Sequence, residues 1–488
     1  MLQLGFSSDF VSILQALYYK ESFFVEAGDI TTDKIFPRRG LKQGCGLSPI
    51  LFSIYIMDLG VRLSSINCGV DLMANGVSIN NLLFADDLAL ISSSEDDMFH
   101  LLRVLQDWCC DFKMEVSTLK SKLVSTSDLE FWELLTPDFD YVDCIEQLQF
   151  SRYLGVDIYP SLSKIVNGRC SNITSMAASY AKNVLNLSKT LADKVDHSLA
   201  MWSAMAIPAL LFACEVIPIT KECIKDLERW QCILGKSVLQ ICTKAANDIV
   251  YTDLGLKPVA AIIWEKKLSF YKRISSDSFN GSSYVKHCLR FHESLGNNSP
   301  FIKDLHHICQ QLETNLSPTT DYKKLINAHS ISTITTNMKS KSSLVCCSLP
   351  RKWWKKSNYV KYTESSKVIS QFRSSSTLTG NMAPLSHHSF LSAPDGRVLV
   401  CAGCGSAFNK PHHWVINCPS LATQRNDLTV DGSSLHSIFA SSGQLSEVEI
   451  LKSFLDTSKD SMNTIMEKAS CLDKLRDHYL AMLLPSSQ

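Results

Sequence analysis

The spacing of apolar residues changes near residue 158 of this chain. Before that point, apolar residues come in short runs separated by polar pairs and glycines, which is typical of short strands and hairpins. Beyond it they recur every three or four residues, over 177–191 and 224–239 for example, which predicts amphipathic helices. Residues 276–395 are polar and weakly periodic, apart from a predicted helix at 302–312. The pattern therefore predicts an α+β chain with a helical second part.

One stretch of the first part combines this pattern with candidate chemistry. Residues 82–91, LLFADDLALI, are two apolar runs around Asp86 and Asp87, which predicts a β-hairpin with both carboxylates at its tip. Adjacent carboxylates repel each other and lose solvation when partly buried, so a cation would stabilise them. Mg²⁺ suits such a site because it prefers carboxylate oxygens. The alternative is a solvent-exposed turn, where aspartate is common.

Several helix starts and a strand pair can also be predicted. Ser7, Ser8 and Asp9 offer the start of a helix with one apolar face, and Pro49 suits the first turn of another. Ser94 resembles the first residue of a capping box and opens a helix that turns Trp108 inward, as a core residue. Residues 23–35 predict a strand pair around a Gly-Asp turn.

Length and composition limit the compartment and the size of the fold. The 488 residues suffice for about two to four domains, and an apolar content of 45% supports a real core. The 18 cysteines, without a signal peptide, indicate reduced thiols and an intracellular protein of the nucleus or cytoplasm. The apolar run 199–214 is shorter than the roughly 20 residues that span a bilayer. Pro208 interrupts this run, so we expect a buried helix pair and no membrane partner.

Four motifs in a fixed order connect the aspartate pair to a known family. They are RRGLKQGCGLSPILF at 38–52, FADD at 84–87, a segment with Lys120 and Lys122, and FSRYLGV at 150–156. This order resembles a reverse transcriptase, most closely the non-LTR (LINE-type) retrotransposon branch. FADD stands where that branch usually has YADD. The resemblance implies a partial right-hand polymerase palm followed by an all-helical thumb.

The resemblance also implies roles at the nucleotide site. Gln43 and Gly44 would lie near the incoming nucleotide and the template, and Phe84 would line the nucleotide pocket. Lys120 could assist at the triphosphate, and residues 150–156 resemble the primer-grip hairpin. The implied partners are an RNA template and a DNA primer.

The implied metal site is incomplete in this sequence. Asp86 would hold Mg²⁺ or Mn²⁺, with Asp87 as a weaker or supporting ligand. In reverse transcriptases a further carboxylate comes from an earlier strand, in a segment like A-F/Y-D-x-V. Asp9, Asp29 and Asp33 do not match that context. We therefore expect an N-terminally truncated polymerase that lacks the fingers and the first catalytic aspartate, and that does not extend primers.

A second chemical site is predicted near the C-terminus. Cys401, Cys404, His413 and Cys418 follow a C-x2-C-x8-H-x4-C spacing, and such ligands suit a tetrahedral, structural Zn²⁺. His412 is an alternative ligand that the spacing leaves open. The segment resembles the zinc knuckle after the polymerase of LINE-type proteins, and zinc knuckles bind RNA. The alternative is two free cysteines near a surface loop.

A basic segment lies between these two sites. Residues 339–361 carry seven basic residues and no acidic ones, with Trp353 and Trp354 inside the run. Basic charge with aromatic residues suits a single-strand or RNA contact. The alternative is a solvated linker whose tryptophans pack on a neighbouring surface. Because the net charge is zero, any nucleic-acid surface must be local.

These observations leave two functional readings. The first is a fragment of a non-LTR retrotransposon polymerase, and the second is a non-catalytic RNA-binding remnant acting through the basic segment and the knuckle. The chain has no G-x-S-x-G, Walker A or complete G-x-G-x-x-G motif, which argues against an unrelated enzyme. The predicted domains are a partial palm (1–157), a helical thumb (158–275), a polar connector (276–395), a CCHC knuckle (396–420) and a helical tail (421–488).

Overall fold

A computed structural model gives the fold of most of the chain. It describes residues 1–340 with gaps at 20, 38–39, 73–77, 127–130, 136–141, 189–193, 242 and 244, residues 368–369 and 404, and residues 413–483 with gaps at 443–444 and 456–461. The chain divides into two compact units. One comprises 1–162 with 281–294, and the other comprises 163–280 with 295–488.

The N-terminal region alternates helices with short hairpins. Its elements are α1 Ser8–Tyr18, β1 Glu26–Ala27, β2 Ile30–Thr31, α2 Ser48–Ser64, β3 Val70–Asp71, β4 Ser78–Ile79, β5 Asn81–Phe84, β6 Asp87–Leu90, α3 Glu95–Phe112, β7 Phe131–Leu135, β8 Val142–Glu146, β9 Ser151–Tyr153 and β10 Val156–Ile158. Each successive pair of strands forms a two-stranded antiparallel sheet. The predicted pair at 23–35 is confirmed by β1 and β2, which an isolated bridge between Phe23 and Ile35 extends.

The rest of the described chain is almost entirely helical. Its elements are α4 Leu162–Ser188, α5 Lys194–Met201, α6 Ile207–Leu210, α7 Lys221–Leu239, α8 Asp248–Asp253, α9 Val259–Ile274, α10 Ser283–Leu295, α11 Pro300–Gln311, α12 Tyr322–Ser340, α13 Ala422–Asp427, β11 Thr429–Val430, β12 Ser433–Ser434, α14 Leu435–Ala440, α15 Glu447–Leu455 and α16 Met462–Leu483. The predicted change from short strands to helices near residue 158 is thus confirmed, and the α+β class with it.

The core of the first unit lies between α2, α3 and the hairpin β5–β6. Its buried residues are Leu59, Leu63, Leu101, Leu105, Trp108 and Cys109. Pro49 lies in the first turn of α2, and the Ser94 hydroxyl accepts a hydrogen bond from the Asp97 amide (3.2 Å) to cap α3. Trp108 is buried and stacks on Phe112, so its predicted place in the core is confirmed.

The apolar face of α1 is only partly covered. The Ser7 hydroxyl accepts a hydrogen bond from the Phe10 amide (3.3 Å), which confirms the predicted helix start. Leu14 is buried, but Phe10, Ile13 and Leu17 are 40%, 59% and 60% exposed. Three-and-four periodicity therefore identified a real apolar face but not what lies against it.

Part of the apolar run 199–214 lies in the core of the second unit, whereas Met205 and Phe212 are exposed. It passes from α5 through a π-helical turn at Trp202–Ala206 into α6, whose first turn contains Pro208. Trp202 is buried, and its indole N–H donates to the Gln231 side chain (3.0 Å), so the polar atom is satisfied inside the core. Among the helices in the described part of the chain, none has the length and apolar content needed to cross a membrane.

The C-terminal helices and the segment before them share one core. Val415, Ile416 and Cys418 are buried in the same cluster as Leu451 and Leu472. The domain boundary predicted from the sequence lies at residue 420, between the CCHC knuckle (396–420) and the helical tail (421–488). In the structure, residues on the two sides of that position pack together, in a buried cluster that also contains residues of α4–α9.

Candidate functional site: an aspartate hairpin and a cysteine–histidine cluster

The aspartate pair lies at the tip of a tight hairpin. Strands β5 and β6 pair with Leu83 opposite Leu88 and Phe84 opposite Asp87, so Ala85 and Asp86 form the turn. Ala85 adopts a positive φ of 52°, which costs a residue with a side chain about 1 kcal/mol. The sequence prediction of a hairpin with the Asp pair at its tip is confirmed.

The base of this hairpin is fixed while its tip is exposed. Leu83, Leu88 and Leu90 pack against the core of α2 and α3. Below them, the buried Asn80 side-chain amide donates to the Leu63 carbonyl at the end of α2 (2.7 Å). Phe84 is 62% exposed on the other face. The scaffold therefore holds the two carboxylates firmly and presents them to solvent.

A second hairpin lies beside the first. Strands β9 and β10 meet at a turn in which Leu154 and Gly155 both have positive φ (47° and 81°). The Tyr153 hydroxyl donates to the Leu82 carbonyl of β5 (3.4 Å). Burial, and then the negative charge of Asp87, raise the pKa of Tyr153. The predicted hairpin at 150–156 is thus confirmed, and it contacts the hairpin that carries the Asp pair.

The remaining predicted nucleotide-site residues lie on exposed turns. Gly44 has a φ of 81° in the turn before α2, next to the exposed Gln43. The Ser48 hydroxyl donates to the Lys42 carbonyl (2.6 Å) and ties this turn to the start of α2. Lys120 is exposed in a turn after α3. No hydrogen bond in the described residues links Gln43, Gly44 or Lys120 to the Asp pair, so their roles stay predictions.

The donor set at the hairpin tip suits a hydrated cation. Asp86 and Asp87 offer two exposed, adjacent carboxylates, and Mg²⁺ usually keeps several waters while binding one or two carboxylates. In the part of the chain that the structure describes, no third histidine, cysteine or carboxylate joins them closely enough to share an ion. Two adjacent carboxylates are enough for one hydrated ion, and the described residues supply no further ligand that two ions could share.

A cluster of soft ligands forms the second site. Cys404, His413 and Cys418 offer ligand atoms that all lie within 4.8 Å of one another, and the Cys404 Sγ is 3.4 Å from the His413 Nε2. Zn–S and Zn–N bonds of ~2.3 and ~2.1 Å in a tetrahedron imply ligand separations of about 3.5–4 Å. The three side chains therefore fit a zinc ion. Predicted residues outside the described part of the chain are Cys401, His412, Trp353, Trp354 and the rest of 341–361.

A π-helical turn brings two of these ligands together. The Cys418 amide donates to the His413 carbonyl (2.8 Å), five residues back, at the end of a turn over His413–Asn417. In an α-helix, residues five apart point in different directions, whereas a π-turn nearly aligns them. This local geometry explains how a histidine and a cysteine with x4 spacing can face one ion.

Comparisons with known proteins agree with the first site. Residues 5–158 match the family described as reverse transcriptase (RNA-dependent DNA polymerase). A 95-residue segment is 37% identical to the retrovirus-related Pol polyprotein from type-1 retrotransposable element R2 of Popillia japonica. That segment is 20% of this chain and only 15% of the relative's length.

Proposed function

We propose that residues 5–158, which match the reverse transcriptase family, act as a partial polymerase palm of the non-LTR retrotransposon type that holds a divalent cation. The observation that carries the proposal is the FADD hairpin, whose tip presents Asp86 and Asp87 next to the Tyr153 hairpin. Helices α4–α9 would be the thumb. The partners would be an RNA template and a DNA primer.

Each predicted residue has a role in this proposal. Asp86 holds Mg²⁺ or Mn²⁺, and Asp87 supports it from the first position of β6. In two-metal phosphoryl transfer, one such cation would lower the pKa of the attacking 3′-hydroxyl, and the other would neutralise the leaving pyrophosphate. The exposed Phe84 ring offers an apolar flank for the nucleotide. The turn at Gln43 and Gly44, whose backbone is open to solvent, would approach the nucleotide and template, and Lys120 would assist at the triphosphate.

Manganese binding tests the hairpin site without requiring catalysis. We expect the full chain to bind Mn²⁺ weakly at the tip, and Asp86→Asn to lose that site because one of two adjacent carboxylates is removed. The measurement is the free Mn²⁺ signal in an electron paramagnetic resonance titration. Asp33→Asn is the matched control, since Asp33 is also an exposed carboxylate of the first unit. Identical titrations for the parent and Asp86→Asn would contradict the assignment.

A second candidate function is RNA binding without catalysis. The observation that favours it is the cluster of Cys404, His413 and Cys418, which is independent of the polymerase hairpin. Cys401 would complete the zinc coordination, with His413 favoured over His412. The basic segment 339–361 would supply charge and its two tryptophans would stack on bases.

RNA binding should depend on both the cluster and the salt concentration. We expect single-stranded RNA to bind with an affinity that falls as salt rises, because basic side chains release condensed counterions. Cys418→Ser should weaken binding by removing a buried zinc ligand, whereas Cys110→Ser, an exposed cysteine of α3, should not. Fluorescence anisotropy of a labelled RNA at several salt concentrations measures both effects. An affinity that is independent of salt and of Cys418 would exclude this function.

A further inference from the structure

A buried arginine lies against the cysteine–histidine cluster. Arg425 is on α13, and only 4% of its surface is exposed. A guanidinium is always charged near neutral pH, and burying it is unfavourable unless an opposite charge or good acceptors compensate. Neither polymerase chemistry nor RNA binding explains why a cation should be buried at this point.

One contact of Arg425 is with a predicted zinc ligand. Its Nη2 donates to the Cys418 carbonyl at 2.6 Å, and Cys418 itself is fully buried. Burial lowers the pKa of Arg425, and the negative charge of the Cys418 thiolate raises it. The guanidinium is therefore buried against the backbone of the residue whose thiolate would ligate zinc.

The net charge of the proposed zinc site explains why a cation would be buried beside Cys418. Zn²⁺ with the two described thiolates of Cys404 and Cys418 and a neutral His413 carries no net charge. With the proposed third thiolate, from Cys401 outside the described residues, it carries one net negative charge. A buried anionic centre needs compensation for the solvation that it loses. We infer that Arg425 is the buried counter-cation and positioning residue of this zinc centre, an inference that rests on the proposed zinc site.

Two effects of Arg425 can be separated by substitution. Arg425→Lys keeps the positive charge near Cys418, whereas Arg425→Gln keeps a hydrogen-bond donor and removes the charge. If the charge stabilises the metal centre, the glutamine variant should bind zinc more weakly than the lysine variant. If Arg425 only ties down the Cys418 carbonyl, the two variants should be equally impaired.

The test is the zinc dissociation constant of the full chain, measured by competition with a chromophoric chelator under reducing conditions. We expect Arg425→Gln to weaken zinc binding about 10–100-fold, as removal of outer-shell partners does, and Arg425→Lys to weaken it less. Arg476→Gln is the control, because Arg476 pairs with Asp473 within α16. It should bind zinc as the parent does.

The outcomes distinguish this inference from the zinc site itself. Parent-like zinc affinity in Arg425→Gln, or equal loss in Arg425→Gln and Arg425→Lys, would overturn the counter-cation role. If circular dichroism shows that Arg425→Gln does not fold even at saturating zinc, the counter-cation role would also be overturned. Arg425 would then be needed for the packing of the core. If the parent binds zinc no better than Cys418→Ser, the zinc site fails and the inference fails with it.

Discussion

The 488-residue chain is expected to give no measurable extension of a DNA primer on an RNA template with either Mg²⁺ or Mn²⁺. The hairpin tip presents Asp86 and Asp87, and no third ligating side chain joins them in the described residues. Phosphoryl transfer with two metals needs both cations about 4 Å apart and held by shared ligands. Asp86 in the turn and Asp87 at the start of β6 do not provide that arrangement by themselves.

The expected loss is large because catalysis depends on two separate contributions, a carboxylate that fixes both metals and the positioning of the triphosphate. Loss of a carboxylate that fixes both metals removes several kcal/mol of transition-state stabilisation, on the order of 10³-fold or more in rate. Positioning of the triphosphate contributes through proximity and orientation, which can supply ~7–11 kcal/mol. In the described residues, the predicted nucleotide contacts at Gln43, Gly44 and Lys120 lie on exposed turns.

Extension of a labelled primer, resolved by gel electrophoresis, measures this activity. Asp86→Ala serves as the comparison, since it removes the proposed metal ligand from an exposed turn. Products made by the parent and absent with Asp86→Ala would refute the prediction. That result would mean that a further carboxylate reaches the hairpin, either from the undescribed residues or from a second copy of the chain.

The aspartate hairpin could be predicted because its determinants are local. Leu82 to Phe84 and Leu88 to Leu90 are apolar runs of strand length on either side of a polar pair, and strand pairing across a two-residue turn needs nothing more distant. Helix starts were equally local: Ser7 and Ser94 cap α1 and α3 through hydrogen bonds to amides three residues ahead. Such signals lie within a few residues of each other.

Contacts between distant segments could not be predicted in this way. Periodicity predicted an apolar face on α1, yet Ile13 and Leu17 on that face are exposed. The pattern along one helix does not specify which other segment packs against it. The Tyr153 contact with Leu82 joins residues 71 positions apart. Arg425 lies in the polar stretch ATQRND, and only the fold reveals its burial beside Cys418.

Removal of zinc is expected to unfold the C-terminal helices while leaving the first unit intact. Cys418 is buried in the core that also contains Leu451, Leu472 and Leu475, so the proposed metal centre forms part of the packing of α15 and α16. Structural zinc contributes on the order of 10 kcal/mol of apparent free energy. That is comparable to the whole free energy of unfolding of an ordinary domain, about 5–15 kcal/mol.

Hydrogen–deuterium exchange with mass spectrometry can follow both parts of the chain at once. Addition of a chelator to the full chain should abolish amide protection in α15 and α16, and leave the protection of α2 and α3 unchanged. Cys418→Ser should show the same loss without a chelator. Added zinc should restore protection to the parent but not to this variant.

Cys471→Ser supplies the matched control for this experiment. Cys471 is also buried in the C-terminal core, but its thiol donates to the Thr429 carbonyl (3.4 Å), and it does not belong to the ligand cluster. This variant should keep its protected helices in zinc and lose them on chelation, as the parent does. Protection of α15 and α16 that survives chelation in the parent would show that apolar burial alone holds these helices, and that the cysteine–histidine cluster is not a structural metal centre.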